Sequence, residues 1–409
     1  MNRLTVCLIL LSAVVSPSFL ANASPITILH SFTQSPDGAY PYGGLVLSGS
    51  TLYGMTAGGG SGYGTVFKVN TDQSGYSVLH TFTDGFDGAD PHGSFTLSGS
   101  TLYGTTNDGG AFGGGNLLKV NTDNTGFSIL HSFGSGSDGY HALGDLTVTG
   151  ATLYGMTRTG GTNGKGTVFK INTDQSGYTV MHSFGSGSDG AQPFYGALAL
   201  SGSTLYGMTY GGGSNGAGTI FKINTDNSGY AVLHSFGTGS DGANPYAGLV
   251  LSGSTLYGMT CTGGDSGNGT IFKINTDNSG YSILHSFMGG SDGLLPYGSL
   301  SLSGSTLYGM TYGGGSSSKG TVFDINTGGS GYTVLHAFTG YPEGAYPYGS
   351  LAVSGSTLYG MTSSGGSDEY IGSVFSMNAP IPEPSTFALM VIGALALFCL
   401  GCWRGRRGR

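Results

Sequence analysis

Apolar and polar positions alternate along this chain inside a unit that recurs every 50 to 52 residues. The phrase Thr-Leu-Tyr-Gly-Met-Thr, intact or with one change, begins at Thr51, Thr101, Thr152, Thr204, Thr255, Thr306 and Thr357. Each unit holds four short apolar stretches with turn residues between them. In one unit they span residues 247–253, 255–260, 269–275 and 280–287. All four are of strand length and rich in β-branched, Leu and aromatic residues. A period of two puts Tyr281, Ile283, His285 and Phe287 on one face of the last stretch. No helical periodicity occurs in the repeats. Ser-Gly-Ser predicts a tight hairpin. Asn-Thr-Asp-x-Ser-Gly predicts a turn closed by side-chain-to-backbone hydrogen bonds and a positive-φ glycine.

Four strands in about 50 residues make one blade of a propeller, with a stacked solenoid as the rival. The ends of the repeat region favour the propeller. Residues 26–32 read as a fourth strand with no preceding three, and residues 372–378 as a third strand with no following fourth. A ring uses that offset, because the first strand completes the last blade. The expectation is an all-β, seven-bladed β-propeller of four-stranded blades over residues 24–379, closed by its N-terminal strand. Closure leaves only short, protected sheet edges. Within the repeated phrase, Gly54 is expected to make room for Phe67 on the adjacent strand.

Composition agrees with an ordered, turn-dense chain. The 81 glycines alone would also suit disorder, but the chain has 25 Tyr and 21 Phe, and aromatics recur at fixed places in each repeat, which excludes it. The two ends read differently from the repeats. Residues 1–23 have Arg3, an apolar run and small residues at Ala21 and Ala23, the pattern of a secretory signal peptide. Residues 386–403 are apolar enough for a transmembrane segment. Arg404, Arg406, Arg407 and Arg409 follow, so residues 404–409 are expected to stay cytoplasmic and the repeats to be exported. Residues 24–380 contain 8 Lys and Arg against 20 Asp and Glu, a balance of −12 that argues against nucleic acid as a partner. Cys261 is the one cysteine of that region, which excludes an intramolecular disulfide there; it reads as a substituted surface position.

Two stretches carry resemblances. Pro382-Glu383-Pro384, the apolar span and the arginine cluster together resemble the PEP-CTERM sorting signal, with residues 380–385 as motif and linker. That resemblance implies an exosortase-type processing enzyme as partner, anchoring in the inner membrane by the C-terminal segment, and delivery to the surface of a Gram-negative bacterium or its matrix. The repeat, Gly-Leu-Val-Leu-x-Gly-Ser-Thr-Leu-Tyr-Gly-Met-Thr with its following Gly-rich loop and Gly-Thr-Val-Phe-Lys-Ile-Asn, resembles GloVer-type tandem repeats of "choice-of-anchor" surface proteins. That resemblance brings no activity with it.

Candidate chemistry lies at the start of each inner strand. Tyr42, His92, Leu143, Phe194 or Tyr195, Tyr246, Tyr297 and Tyr348 are expected to ring the channel mouth, where aromatics stack on sugars. Asp37, Asp87, Asp138, Asp189, Asp241, Asp292 and Glu343 recur nearby and either bind hydroxyls or make Asp-Gly turns. The fourth-strand histidines (His30, His80, His131, His182, His234, His285 and His336) occur one per blade, too far apart for a shared metal with ligands about 2 Å away. The Asn-Thr-Asp-x-Ser-Gly turn lacks the terminal Glu of a calcium loop and reads as a hairpin. Departures from the repeat at His92, His141, Asp145, Arg158, Cys261, Asp368 and Glu369 look scattered and form no nucleophile–base pair. No cofactor, metal or catalytic set is expected. The reading is a non-enzymatic exported module for extracellular polysaccharide or surface proteins. A purely structural surface or matrix component is the alternative, and a polysaccharide-degrading propeller enzyme a more remote one, which would need clustered carboxylates of perturbed acidity at the mouth.

Overall fold

The computed structural model describes residues 25–379 except 135, 186, 238 and 367–370. The residues expected as signal peptide, sorting motif, transmembrane segment and arginine tail, and Asp368 and Glu369, lie outside the described residues. Seven four-stranded antiparallel sheets follow one another. In blade one the strands are Val46–Ser48, Thr51–Thr56, Thr65–Asn70 and Ser77–Thr81, from inside to outside. Blades two to six repeat this order. Blade seven takes Ala352–Ser354, Thr357–Thr362 and Ser373–Asn378 from the C-terminal side and Thr27–Ser31 from the N-terminal side. Thr27 pairs with Ser376 and Ser31 with Ser373, so the ring closes as the offset of the repeats required. The described residues contain no α-helix.

Local chemistry sets the strand ends. Ser48 pairs with Thr51 across Gly49-Ser50, and Gly49 has φ +60°. Positive φ at the first of two central residues suits the right-handed twist of a hairpin. At the next turn Asp72 accepts hydrogen bonds from the Ser74 amide and hydroxyl, at 3.0 and 2.6 Å. The outer strand of every blade carries a bulge: Val66 pairs with His80 and Phe67 with Val78, leaving Leu79 unpaired. The same irregularity falls at Leu284 in blade five. This corrects the single face expected for residues 281–287. Tyr281 and Ile283 pack towards blade four, while Leu284 and Phe287 pack towards blade six. One extra residue moves the second half of the strand to the other side.

The core is a circle of seven apolar clusters, each between neighbouring blades. Tyr257, Met259, Ile271 and Phe287 meet Leu300, Leu307, Phe323 and Ile325. At the closing interface Tyr359, Met361, Val374, Leu29 and Phe32 meet Leu45, Leu52, Phe67 and Val69 in the same pattern. Each outer-strand Phe, such as Phe32, Phe133 and Phe236, is fully buried, a contribution of roughly 1.5–3 kcal/mol per ring. Gly54 lies opposite Phe67, and a Cβ there would fall 2.6 Å from the ring. Blade two exchanges partners while keeping the volume. Leu118 replaces the third-strand Phe, and Phe95 from the inner strand fills the space over Gly104.

The repeated histidines tie the rim together. His131 lies 3.0 Å from Asp138 and stacks at 3.8 Å on Tyr178 of the next blade, whose hydroxyl donates to the Asp138 carbonyl. Asp138 also accepts from the Gly134 amide, closing its loop. Burial alone would raise this carboxyl, but His131, the Gly134 amide and Tyr178 hold it below its ordinary value. These acids therefore sit beside the outer strands and away from the aromatic ring.

Candidate functional site

The inner strands converge so closely at the axis that only small residues fit. A Cβ on Gly43 would lie 2.4 Å from the Gly93 carbonyl oxygen, and one on Gly349 2.0 Å from that of Gly43. The next residue in each blade is Gly44, Ser94, Asp145, Ala197, Gly248, Ser299 or Ser350. Several of these link blade to blade: the Gly44 amide donates to Ser94 Oγ at 2.7 Å, and the Ser299 amide to Ser350 Oγ at 2.9 Å. The Ser94 amide donates to Asp145. Asp145 keeps some accessible surface only because it lines the channel; protein surrounds it on all sides, and burial pushes its carboxyl up to about 6 against the hydrogen bonds from Ser94. The space left here is about 10 Å³, enough for about one water.

Above this constriction the six predicted ring residues come together and stack on one another. Ring centroids are separated by 4.7 Å for Tyr42–His92, 5.6 Å for His92–Tyr195 and 5.0 Å for Tyr195–Tyr246. The circuit continues through Tyr246–Tyr297 and Tyr297–Tyr348, each at 4.7 Å, and returns by Tyr348–Tyr42 at 5.2 Å. Tyr348 donates to the Tyr246 hydroxyl, and the Tyr195 hydroxyl meets His92 Nδ1, both at 3.0 Å. Leu143 of blade three stands outside this circuit and is buried. Burial raises the Tyr195 and Tyr348 phenols well above their ordinary range, and Tyr297 to about 12, so all three are neutral hydrogen-bonding groups. The aromatic set is a plug over the channel.

A cleft of about 350 Å³ lies against this plug, lined by Tyr40, Tyr42, His92, Tyr195, Tyr312, Tyr348, Ser363 and Ser364. Four of the six predicted ring residues reach it. Tyr246 and Tyr297 are in the plug but not in the cleft wall. Sequence reasoning missed Tyr40, Tyr312, Ser363 and Ser364, although a signal for them exists. In every blade a residue two or three before the inner-ring position accepts a backbone hydrogen bond from the residue one or two after the second strand. The pairs are Tyr40/Ala57, Asp90/Asn107, His141/Arg158, Gln192/Tyr210, Asn244/Cys261, Leu295/Tyr312 and Tyr346/Ser363. The first member has φ between +54° and +58° in all seven. The backbone pairing repeats here, while no two blades carry the same pair of side chains. Positions that vary inside a fixed frame are where the mouth acquires its chemistry.

This frame also gathers departures that look scattered in the sequence. His92 Nε2 lies 2.9 Å from Asp90, and His141 Nε2 3.4 Å from Asp108. Asn107 Nδ2 bridges the two acids, at 3.1 Å to Asp90 and 2.9 Å to Asp108. Burial would raise Asp90, but His92 and Asn107 hold its carboxyl low. Burial raises Asp108, helped by the charges of Asp90 and Asp84 and opposed by His141. Cys261 belongs to the same frame and is a correction: it is 3% exposed, its Sγ donates to the Asn244 carbonyl at 2.8 Å, and burial pushes the thiol up to about 12.

Fold and plug define a closed β-propeller with a shallow, aromatic, hydroxyl-lined mouth. The chain belongs to the Gloeobacter/Verrucomicrobia repeat family, whose pattern matches residues 18–210, 142–315 and 195–389. Residues 380–407 match the PEP-CTERM protein-sorting motif, which marks an exported, exosortase-processed surface protein. Among curated protein sequences none matches. Similar solved structures include an oligogalacturonate lyase in complex with manganese, 12% identical with a TM-score of 0.56 over 87% of this chain and 93% of that one. An oligogalacturonate lyase from Vibrio parahaemolyticus is 11% identical, with a TM-score of 0.53 over 87% and 94% of the chains. A puromycin-hydrolysing peptidase from Mycobacterium tuberculosis is 13% identical, with a TM-score of 0.54 over 87% of this chain and 55% of that one. At such identities the likeness is one of fold alone.

Proposed function

We propose that this exported propeller is a non-enzymatic binding module that holds extracellular polysaccharide at its mouth. The observation that carries the reading is the cleft: aromatic faces from Tyr40, Tyr42, Tyr312 and Tyr348 stand beside Ser363, Ser364 and the Tyr195–His92 pair. Sugar rings stack on such faces while their hydroxyls meet the polar groups, the mix of apolar wall and few placed polar groups found in ligand sites. The channel beneath the plug is too narrow to thread a chain, so a glycan would lie across the face.

The test is binding of the full chain, in detergent micelles, to an array of bacterial and plant polysaccharides, beside a Tyr40→Ala/Tyr312→Ala variant. Both residues line the cleft without belonging to the closed stacking circuit, so the fold should tolerate their loss. Affinity for at least one polysaccharide is expected to fall ~10-fold or more, the equivalent of one lost stacking contact of about 1.4 kcal/mol. A wild-type protein that binds no polysaccharide would leave the purely structural surface role in its place.

A further inference from the structure

Among the described residues, one cation at the mouth is paired with no carboxylate. Arg158 is the only arginine in residues 24–380 and occupies the variable position after the second strand of blade three. Its guanidinium lies 4.4 Å from the centroid of Phe194, and Phe194 stacks at 4.5 Å on Tyr246 of the plug. Its Nε is buried without a hydrogen-bond partner. Among the described residues every ion pair within 4.0 Å is made by a histidine, and none by Arg158. Two acids of the mouth, Asp90 and Asp108, face His92 and His141 at 2.9 and 3.4 Å. His141 itself is biased towards the neutral form, first by burial and then by the charge of Arg158, against the pull of Asp108.

A purely structural arginine in a domain with 20 acidic residues would be expected to hold one of them. This one is instead laid flat on an aromatic surface. Stacking fixes the plane of the guanidinium and strips part of its water, which favours planar, two-pronged pairing with a carboxylate. The surface beneath it is continuous with the cleft, because Phe194 touches Tyr195 at 5.8 Å and Tyr195 lines the cleft wall. A sugar ring stacked in the cleft and a carboxylate on a neighbouring sugar would engage both features at once. We propose that Arg158 anchors the carboxylate of a uronic-acid-containing glycan. This rests on the polysaccharide reading above and names its chemical class. The net negative charge of the domain works against a polyanion at long range, where salt screens it, and less against the close pair. Moderate salt should therefore preserve or strengthen binding, the reverse of adventitious charge attraction.

The experiment compares the full chain in detergent micelles on polygalacturonate, on its methyl ester, on a neutral glucan and on dextran sulfate. Polygalacturonate is expected to bind ~10-fold more tightly than its methyl ester, one charge-assisted contact. Arg158→Gln should abolish that difference with an unchanged thermal midpoint, and Arg158→Lys should restore only part of it. Equal binding of acid and ester by the wild type, or a preference that survives Arg158→Gln, overturns the role of Arg158 while leaving the polysaccharide reading intact. Dextran sulfate binding as tightly as polygalacturonate overturns the carboxylate assignment. Binding to none of the four, together with a blank wider array, removes the polysaccharide reading itself.

Discussion

Single residues in this protein answer to the blade first. Gly207 repeats the role of Gly54: a Cβ there would fall 2.5 Å from Phe221 and 2.7 Å from Leu198. Gly207→Ala is therefore expected to destabilise the protein by about 1–3 kcal/mol through overpacking, read as a lower denaturant midpoint. Asp324 shows the converse. It stands where most blades carry lysine, as in Lys170, whose Nζ donates to the Thr225 carbonyl of the next blade at 3.0 Å. Burial pushes the Asp324 carboxyl up to about 6, and its Oδ1 has no hydrogen-bond partner. Asp324→Lys should raise the midpoint; a lower one would show that blade six has adapted around the acid. The Gly–Phe fit was legible in the sequence because both residues recur in register. The burial of Cys261 was not, because a residue that occurs once gives no pattern to read.

At the scale of elements, strand count and closure were legible from the offset between the first and last repeats. The bulge in the outer strand was not, since an apolar run with one extra residue looks like ordinary alternation. The same gap explains why the mouth was half seen. Inner-ring aromatics follow from their spacing, but Tyr40, Tyr312 and Arg158 reach the mouth through a backbone pairing that brings two distant loops together. The closing strand offers a direct test. Without residues 26–32, blade seven loses its outer strand, and Leu29 and Phe32 leave the cluster at the seventh interface. A chain lacking them is expected to elute as soluble aggregate in size-exclusion chromatography, because an unpaired strand edge invites association. Adding a peptide of residues 25–33 should return it to the monomer peak. A truncated protein that stays monomeric and melts like the wild type would show that closure adds little.

For the molecule as a whole, acidity divides into two groups with opposite effects. Burial would raise Asp37, Asp138 and Asp189, yet His and Tyr partners and backbone amides hold them low. Their contribution to stability is present above the unfolded value near 3.8 and is lost as pH falls through the lower folded values. Asp145 behaves in the other sense. Its folded value, raised to about 6, means the folded state holds the proton longer, so stability drops as pH climbs from about 4 to about 6. For a carboxylate enclosed this fully the drop is on the order of 3 kcal/mol. The thermal midpoint should accordingly peak near pH 4, and Asp145→Asn should reduce the decline towards pH 7, leaving the share due to Asp324, without changing the acid limb. An identical profile in the variant would assign the decline elsewhere.

Closure also imposes an order in time. The strand at Thr27–Ser31 is made first, yet its partner at Ser373–Asn378 is nearly the last part of the repeat region to be made. During synthesis and export the leading strand has to wait, unpaired, while six complete blades assemble behind it. Contacts of such long sequence separation form late and slowly. The partner strand ends only four residues before Pro382-Glu383-Pro384. Locking of the ring and processing at the sorting motif are thus neighbouring events on the chain, and a protease reaching that motif would meet a propeller whose final strand has just become available to close it.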